Sequence, residues 1–144
     1  VQLHRAIFTA FDRWEEHLYS FFMSKDRRDA TQEYASPHFF EDGDCEFGTK
    51  PRNAGRVKLD ALGLRARKKF YYTFDYGDDW EHVVEVLAIN DQDPEGRYPR
   101  IVEKFGESPP QYPELDEDED EDDEDAEEEV RGRVIPLRRA PEGA

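Results

Sequence analysis

Residues 68–89, KKFYYTFDYGDDWEHVVEVLAI, alternate between two sets of side chains on both sides of a glycine. Before it, Phe70, Tyr72, Phe74 and Tyr76 share one face, and Tyr71, Thr73 and Asp75 share the other. After it, Trp80, His82, Val84 and Val86 share a face, opposite Glu81, Val83, Glu85 and Leu87. A period of two cannot be satisfied by a helix, whose period is 3.6. The pattern predicts an antiparallel hairpin with strands near 68–76 and 80–89. Gly77-Asp78-Asp79 forms its turn, with Gly77 expected at positive φ. A hairpin alone is marginal in water, so its ring-bearing face needs a covering layer.

That layer is expected at the N-terminus. Leu3, Ile7, Phe11 and Trp14, with Ala6 and Ala10, fall on one helical stripe. Arg5, Thr9, Asp12 and Arg13 fall opposite, so the spacing predicts an amphipathic helix over 3–14. His17 to Met23, HLYSFFM, reads as a third strand, with Leu18 or Tyr19 heading its buried face. Residues 24–56 carry turn chemistry in SKDRRDATQ, EDGD and TKPRNAG, and read as a long loop anchored by Tyr34, Phe39, Phe40 and Phe47. Val57, Leu59, Leu62 and Leu64 suit either a short strand and turn or one helical turn. The Pro- and Gly-rich stretch 98–113 should wrap over the sheet, with Ile101, Val102 and Phe105 as packing contacts. The fold class is therefore α+β: a small mixed or antiparallel sheet with an N-terminal helix packed on it.

Charge divides the chain. Fourteen of the sixteen residues from Glu114 to Glu129 are Asp or Glu. Without that run the 36 acidic residues fall to 22, against 20 basic ones, so the net charge of −16 belongs almost entirely to one segment. Like charges at this density repel, and no apolar surface offsets the entropy of ordering them. The expected division is an α+β domain at 1–113 and a disordered tail at 114–144, acidic and then basic. The chain opens on Val1 directly into the helical pattern, which suggests structure upstream. One cysteine, Cys45, excludes an internal disulfide and suits a reducing compartment. No stretch approaches the roughly 18 apolar residues of a membrane span, so the cytoplasm is the default location.

The segments LHRAIF (3–8), Trp14, His17-Leu18-Tyr19 and FDYGDDWEH (74–82) together resemble the plasmid pRiA4b ORF-3-like family, whose members include passenger proteins of insertion elements. The resemblance spans roughly residues 2–112 and rests on the near-match to that family's YDFGDDWEH ending. It implies a mixed α+β domain, with a further strand ahead of the LH helix. PPQYP at 109–113 stands where the family often carries a Cys-containing PPED segment, so no thiol role is implied. The resemblance implies no shared catalytic activity. Joined modules in some members fit an interaction or regulatory role, linked to plasmids or mobile elements.

The candidate functional cluster is Asp75, Asp78, Asp79, Trp80 and His82. Carboxylates and an imidazole could hold a cation or exchange protons near neutral pH. The structural alternative has Asp capping the turn, Trp80 covering the core and His82 bonded to a carboxylate such as Asp75. His4, His17 and His38 are isolated in sequence, and the acidic setting of Cys45 raises rather than lowers a thiol pKa. GxSxG, GxGxxG, GxxxxGK and CxxC are absent, and no cofactor is expected. Arg65, Arg67, Lys68 and Lys69, beside Tyr71 and Tyr72, suit phosphate contact and base stacking, although the negative charge opposes long-range attraction. The leading expectation is a noncatalytic binding or regulatory domain with a protein partner. An enzyme using Asp75, Asp78, Asp79 and His82 is the alternative, and nucleic-acid binding is third.

Overall fold

The computed structural model describes residues 1–41, 50–92 and 95–112. Cys45, Phe47 and the segment 114–144 lie outside these described residues. The elements run α1 (Gln2–Ala10), β1 (Tyr19–Phe22), β2 (Glu33–Ala35), β3 (Arg52–Asn53), β4 (Lys69–Phe74) and β5 (Trp80–Glu85), with four short 3₁₀ turns between them. The strands form one sheet in the order β3-β2-β1-β4-β5. Among the described strands, only the β2–β3 pair is parallel. This is the expected α+β architecture.

The hairpin forms in the register its alternation requires, from Lys69 opposite Glu85 to Phe74 opposite Trp80. Phe70, Tyr72 and Phe74 are buried together with His82 and Val86. β1 pairs along the other edge of β4, with Tyr19 opposite Phe74 and Phe21 opposite Tyr72. Tyr19 and Phe21, with Met23 just past the strand, are buried in the core, so Tyr19 heads the core face, while the buried Ser20 faces the other side. α1 lays Leu3 and Ile7 into the same cluster, and Phe8 meets Phe74 edge to face at 5.7 Å between ring centroids. Leu59, Leu62 and Leu64 close its periphery, the first two of them at the ends of a 3₁₀ turn at Leu59–Leu62.

Four expectations change. Helix α1 stops at Ala10, not at 14. The Arg13 N–H bonds to the Phe8 carbonyl and the Asp12 N–H to the Thr9 carbonyl, while Asp12 sits at φ 54°. These are the two bonds and the left-handed residue of a Schellman stop, with Asp where glycine is usual. The stop exchanges the expected sides of the next two residues: Trp14 is 71% exposed, and Arg13 only 7%. Second, the expected loop 24–56 contains β2 and β3, which are too short to display a period. Third, the positive φ values of the hairpin turn fall on Asp75 (60°) and Asp79 (55°), while Gly77 has none. Gly77 serves instead through close approach, since a Cβ there would lie 3.3 Å from Asp75 Oδ1. Fourth, the reversal at Asp75 takes Tyr76 off the core face. Its hydroxyl reaches Ser20 Oγ (2.6 Å) and the Tyr19 carbonyl (3.2 Å), on the side of the sheet away from the Tyr19 ring.

Because Trp14 lies outside the helix and the core, Trp14→Ala is expected to change the unfolding free energy by less than about 1 kcal/mol. Phe70→Ala, at a fully buried centre, should cost about 3–5 kcal/mol. Urea unfolding of both variants checks this; comparable losses would restore the longer helix.

Candidate functional site

The hairpin residues separate into three environments. Asp75 is buried beneath the turn, where its Oδ1 accepts the Gly77 N–H (3.0 Å) and lies 3.4 Å from the Asp78 nitrogen. Its Oδ2 faces His17 Nε2 at 3.5 Å. Asp78 and Asp79 are exposed, and Asp79 pairs with Arg28 at 2.9 Å. Trp80 and His82 point the other way, into the core. His82 Nδ1–H donates to the Tyr72 carbonyl (3.2 Å), and its ring meets Phe11 edge-on at 4.6 Å. Asp75 and His82 are thus not paired: the turn and His17 take the first, and strand β4 takes the second. Among the described residues, no group of three or more His, Cys, Asp or Glu is placed to hold a metal ion.

A second polar network, centred on His4, was not apparent as a unit in the sequence. His4 is buried on α1, stacked on Tyr19 at 3.8 Å with the planes 7° apart. Its Nε2 lies 3.1 Å from Glu16 Oε2 and its Nδ1 lies 2.7 Å from the Tyr72 hydroxyl. With the imidazole neutral, Nε2–H donates to Glu16 and the Tyr72 hydroxyl donates to Nδ1. Burial lowers the His4 pKa despite Glu16, and burial raises that of Tyr72. Burial also pushes His82 down to about 4, with the Arg13 charge lowering it further. His4 occupies the apolar stripe between Leu3 and Ile7, the one sequence signal that it belongs to the core.

The segment 101–112 is bonded along the α1–β1 connection. Lys104 Nζ contacts both Asp12 carboxylate oxygens at 2.8 and 2.7 Å, and the Ser108 hydroxyl donates to Asp12 at 2.9 Å. The buried Gln111 side chain accepts from the Trp14 and Glu15 N–H groups (3.0 and 3.2 Å) and donates to the Glu15 carbonyl (2.9 Å). The Tyr112 hydroxyl accepts from His17 at 2.6 Å and donates to Glu15 at 2.9 Å. Trp14 and Tyr112 therefore form an exposed pair, edge to face at 5.8 Å. Arg13, between Asp12 and Trp14, stacks its guanidinium on the Trp80 ring at 4.1 Å. Of the basic candidates, Arg65, Arg67 and Lys69 are exposed and Lys68 is half-buried. Lys69 faces Glu85 at 4.0 Å.

Residues 1–130 match the family described as plasmid pRiA4b ORF-3-like protein. The chain belongs to that family. It is also similar to the uncharacterised protein y4hQ of Sinorhizobium fredii (strain NBRC 101917 / NGR234). The two are 32% identical over 112 residues, which is 76% of this chain and 50% of y4hQ. The chain thus spans about half the length of that curated relative. No solved structure matches it. In this member of the pRiA4b ORF-3-like family, the histidine of the LH segment, His4, and that of the WEH segment, His82, attach to the same residue. Tyr72 receives the first through its hydroxyl and the second through its carbonyl.

Because His82 is neutral in the fold until about pH 4, the unfolded chain takes up its proton first as pH falls below about 6.5. Stability from this group is therefore complete above about pH 6.5 and lost progressively toward pH 4. Between about pH 7.5 and pH 5 the loss should reach roughly 2 kcal/mol. Urea unfolding at the two pH values checks this, and His82→Leu is expected to remove that share of the acid sensitivity. An unchanged difference in the variant contradicts the assignment.

Proposed function

We propose that this domain is a noncatalytic binding module that recognises a protein partner through the surface made by Trp14 and Tyr112. The observation that carries this reading is an aromatic pair held in place yet turned outward, Trp14 at 71% exposure and Tyr112 at 42%. The Trp14 backbone is fixed by Gln111, and the Tyr112 hydroxyl is fixed at both ends by His17 and Glu15. Such rings lose little freedom on binding and offer large contact areas, which is why Trp and Tyr dominate interface energetics. Val102 and Phe105, in the adjoining segment, were expected as packing contacts but are each 59% exposed, and they extend the apolar contribution of this part of the chain.

The hairpin chemistry supports the same reading. Asp75 is engaged by backbone N–H groups of its own turn, and His82 by a strand carbonyl. Asp79 and Glu81 are engaged by Arg28 and Arg27. These bonds account for the polar residues as parts of the fold. The description of the family ties it to a plasmid, and a role in regulating plasmid or mobile-element functions is consistent with a domain that binds rather than transforms.

The test is crosslinked affinity capture from an extract of the host that carries the gene, at low and high salt, with the parent chain, Trp14→Ala and Tyr112→Ala. A defined protein retained at high salt by the parent chain and weakened at least tenfold by either substitution is the expected result. Capture that disappears with salt and ignores both substitutions overturns it.

A further inference from the structure

Arg13 is 7% exposed, and its Nε, Nη1 and Nη2 are all buried without a hydrogen-bond partner. The indole N–H of Trp80, on whose ring the guanidinium stacks, is also buried and unpartnered. Five guanidinium N–H groups and one indole N–H therefore share one small region, every one a donor and none with an acceptor among the described residues. Stacking on an aromatic face compensates part of the charge but satisfies no N–H. A buried guanidinium does not escape by losing its proton, so the region is complete only when an anion enters it.

The nearest acidic residues along the chain do not supply that anion. Asp12 is held by Lys104 and Ser108, Glu15 by Tyr112, and Glu16 by His4. Three carboxylates within three positions of Arg13 are thus engaged elsewhere. The Schellman stop that buries Arg13 also turns Trp14 outward, so the unpaired charge lies one residue from the aromatic pair on the surface.

We propose that Arg13 and the Trp80 N–H form a carboxylate-binding site, and that the partner recognised through Trp14 and Tyr112 presents an acidic side chain or C-terminal carboxylate to it. This rests on the binding reading above and names the partner's chemistry. A guanidinium carries a planar fork of N–H donors, from which a planar carboxylate accepts two parallel N–H bonds. Phosphate fits the same fork but brings more charge into a neighbourhood already holding Asp12, Glu15 and Glu16. The anion reaches the donors as Arg13 shifts outward along the Trp80 ring, and bonds to a desolvated charge then replace an uncompensated one.

The test needs no partner. In a Trp14→Phe background Trp80 is the only tryptophan, so its fluorescence reports directly on the stack. Sodium acetate, phosphate and chloride are titrated at equal ionic strength, with thermal unfolding followed in parallel. Acetate should change Trp80 emission saturably and raise Tm by several degrees at saturation, with chloride inert and phosphate weaker. Arg13→Met should abolish both responses and unfold at a higher temperature than its parent in chloride, because it removes an unpaired buried charge. Should Arg13→Met fail to fold, Arg13→Lys keeps the charge without the fork and is expected to weaken the acetate response at least tenfold. Equal responses to acetate and chloride, an acetate response surviving in Arg13→Met or undiminished in Arg13→Lys, or phosphate exceeding acetate would each overturn the assignment. The Trp14 capture experiment stands apart: its failure with an intact acetate response refutes the partner surface, and the converse refutes only the carboxylate site.

Discussion

The helix and the strands β1, β4 and β5 are tied through Tyr72. It lies on β4, between β1 and β5 in the sheet order, and is almost wholly buried. Its ring packs 4.9 Å from Phe21 and 5.1 Å from His82, joining the three strands on one face. Its hydroxyl fastens α1 through His4, and its carbonyl fastens β5 through His82. A phenol is suited to this position because it brings the contact area of a large ring and one polar atom for the layer above. The polar atom demands a partner once buried, so the helix must supply one at that height. An otherwise apolar helix stripe therefore carries a histidine at position 4.

The second organising device is the reversal of the backbone at aspartate. Asp12, Asp75 and Asp79 all adopt the left-handed conformation, which non-glycine residues other than Asn and Asp rarely visit. The first two change which side of the chain their successors face. After Asp12, an arginine goes in and a tryptophan goes out. After Asp75, a tyrosine expected in the core crosses to Ser20. The cost of these conformations is offset by fixed bonds: Asp12 to Lys104 and Ser108, Asp75 to the N–H groups of its own turn, Asp79 to Arg28. The functional surface proposed above is a direct product of the first reversal, since both the exposed aromatic pair and the buried unpaired guanidinium follow from it.

The hairpin, the α+β class, the buried faces of β4 and β5 and the family membership were all legible in the residues; the buried face of β1 was not, because its two-residue period fitted Leu18 or Tyr19 equally. Long alternating or helical runs repeat one signal many times, so single exceptions do not erase it. The two- and three-residue strands β3 and β2 have no room to repeat anything; β2 supplies hydrogen-bond partners to the edge of β1, and β3 to the edge of β2. The Asp75, Asp78, Asp79, Trp80 and His82 cluster was legible as a group in sequence, but the turn sends its members to three different environments. His4 carried a signal in its place on the stripe. Arg13 carried a misleading one, because helical spacing assigned it to solvent.

The sequence alone determined the pattern of buried and exposed faces within each regular segment, because that pattern is a local consequence of side-chain period and hydrophobicity. It determined the charge segregation as well, since counting is enough. Only the tertiary structure decided where each segment stops and which polar groups meet. A helix end at a non-glycine residue depends on distant partners such as Lys104 and Ser108. A donor is unpaired only relative to everything folded around it. The isolation of Arg13 against Trp80 is a relation between residues far apart in the chain, so no local reading of the chain contains it.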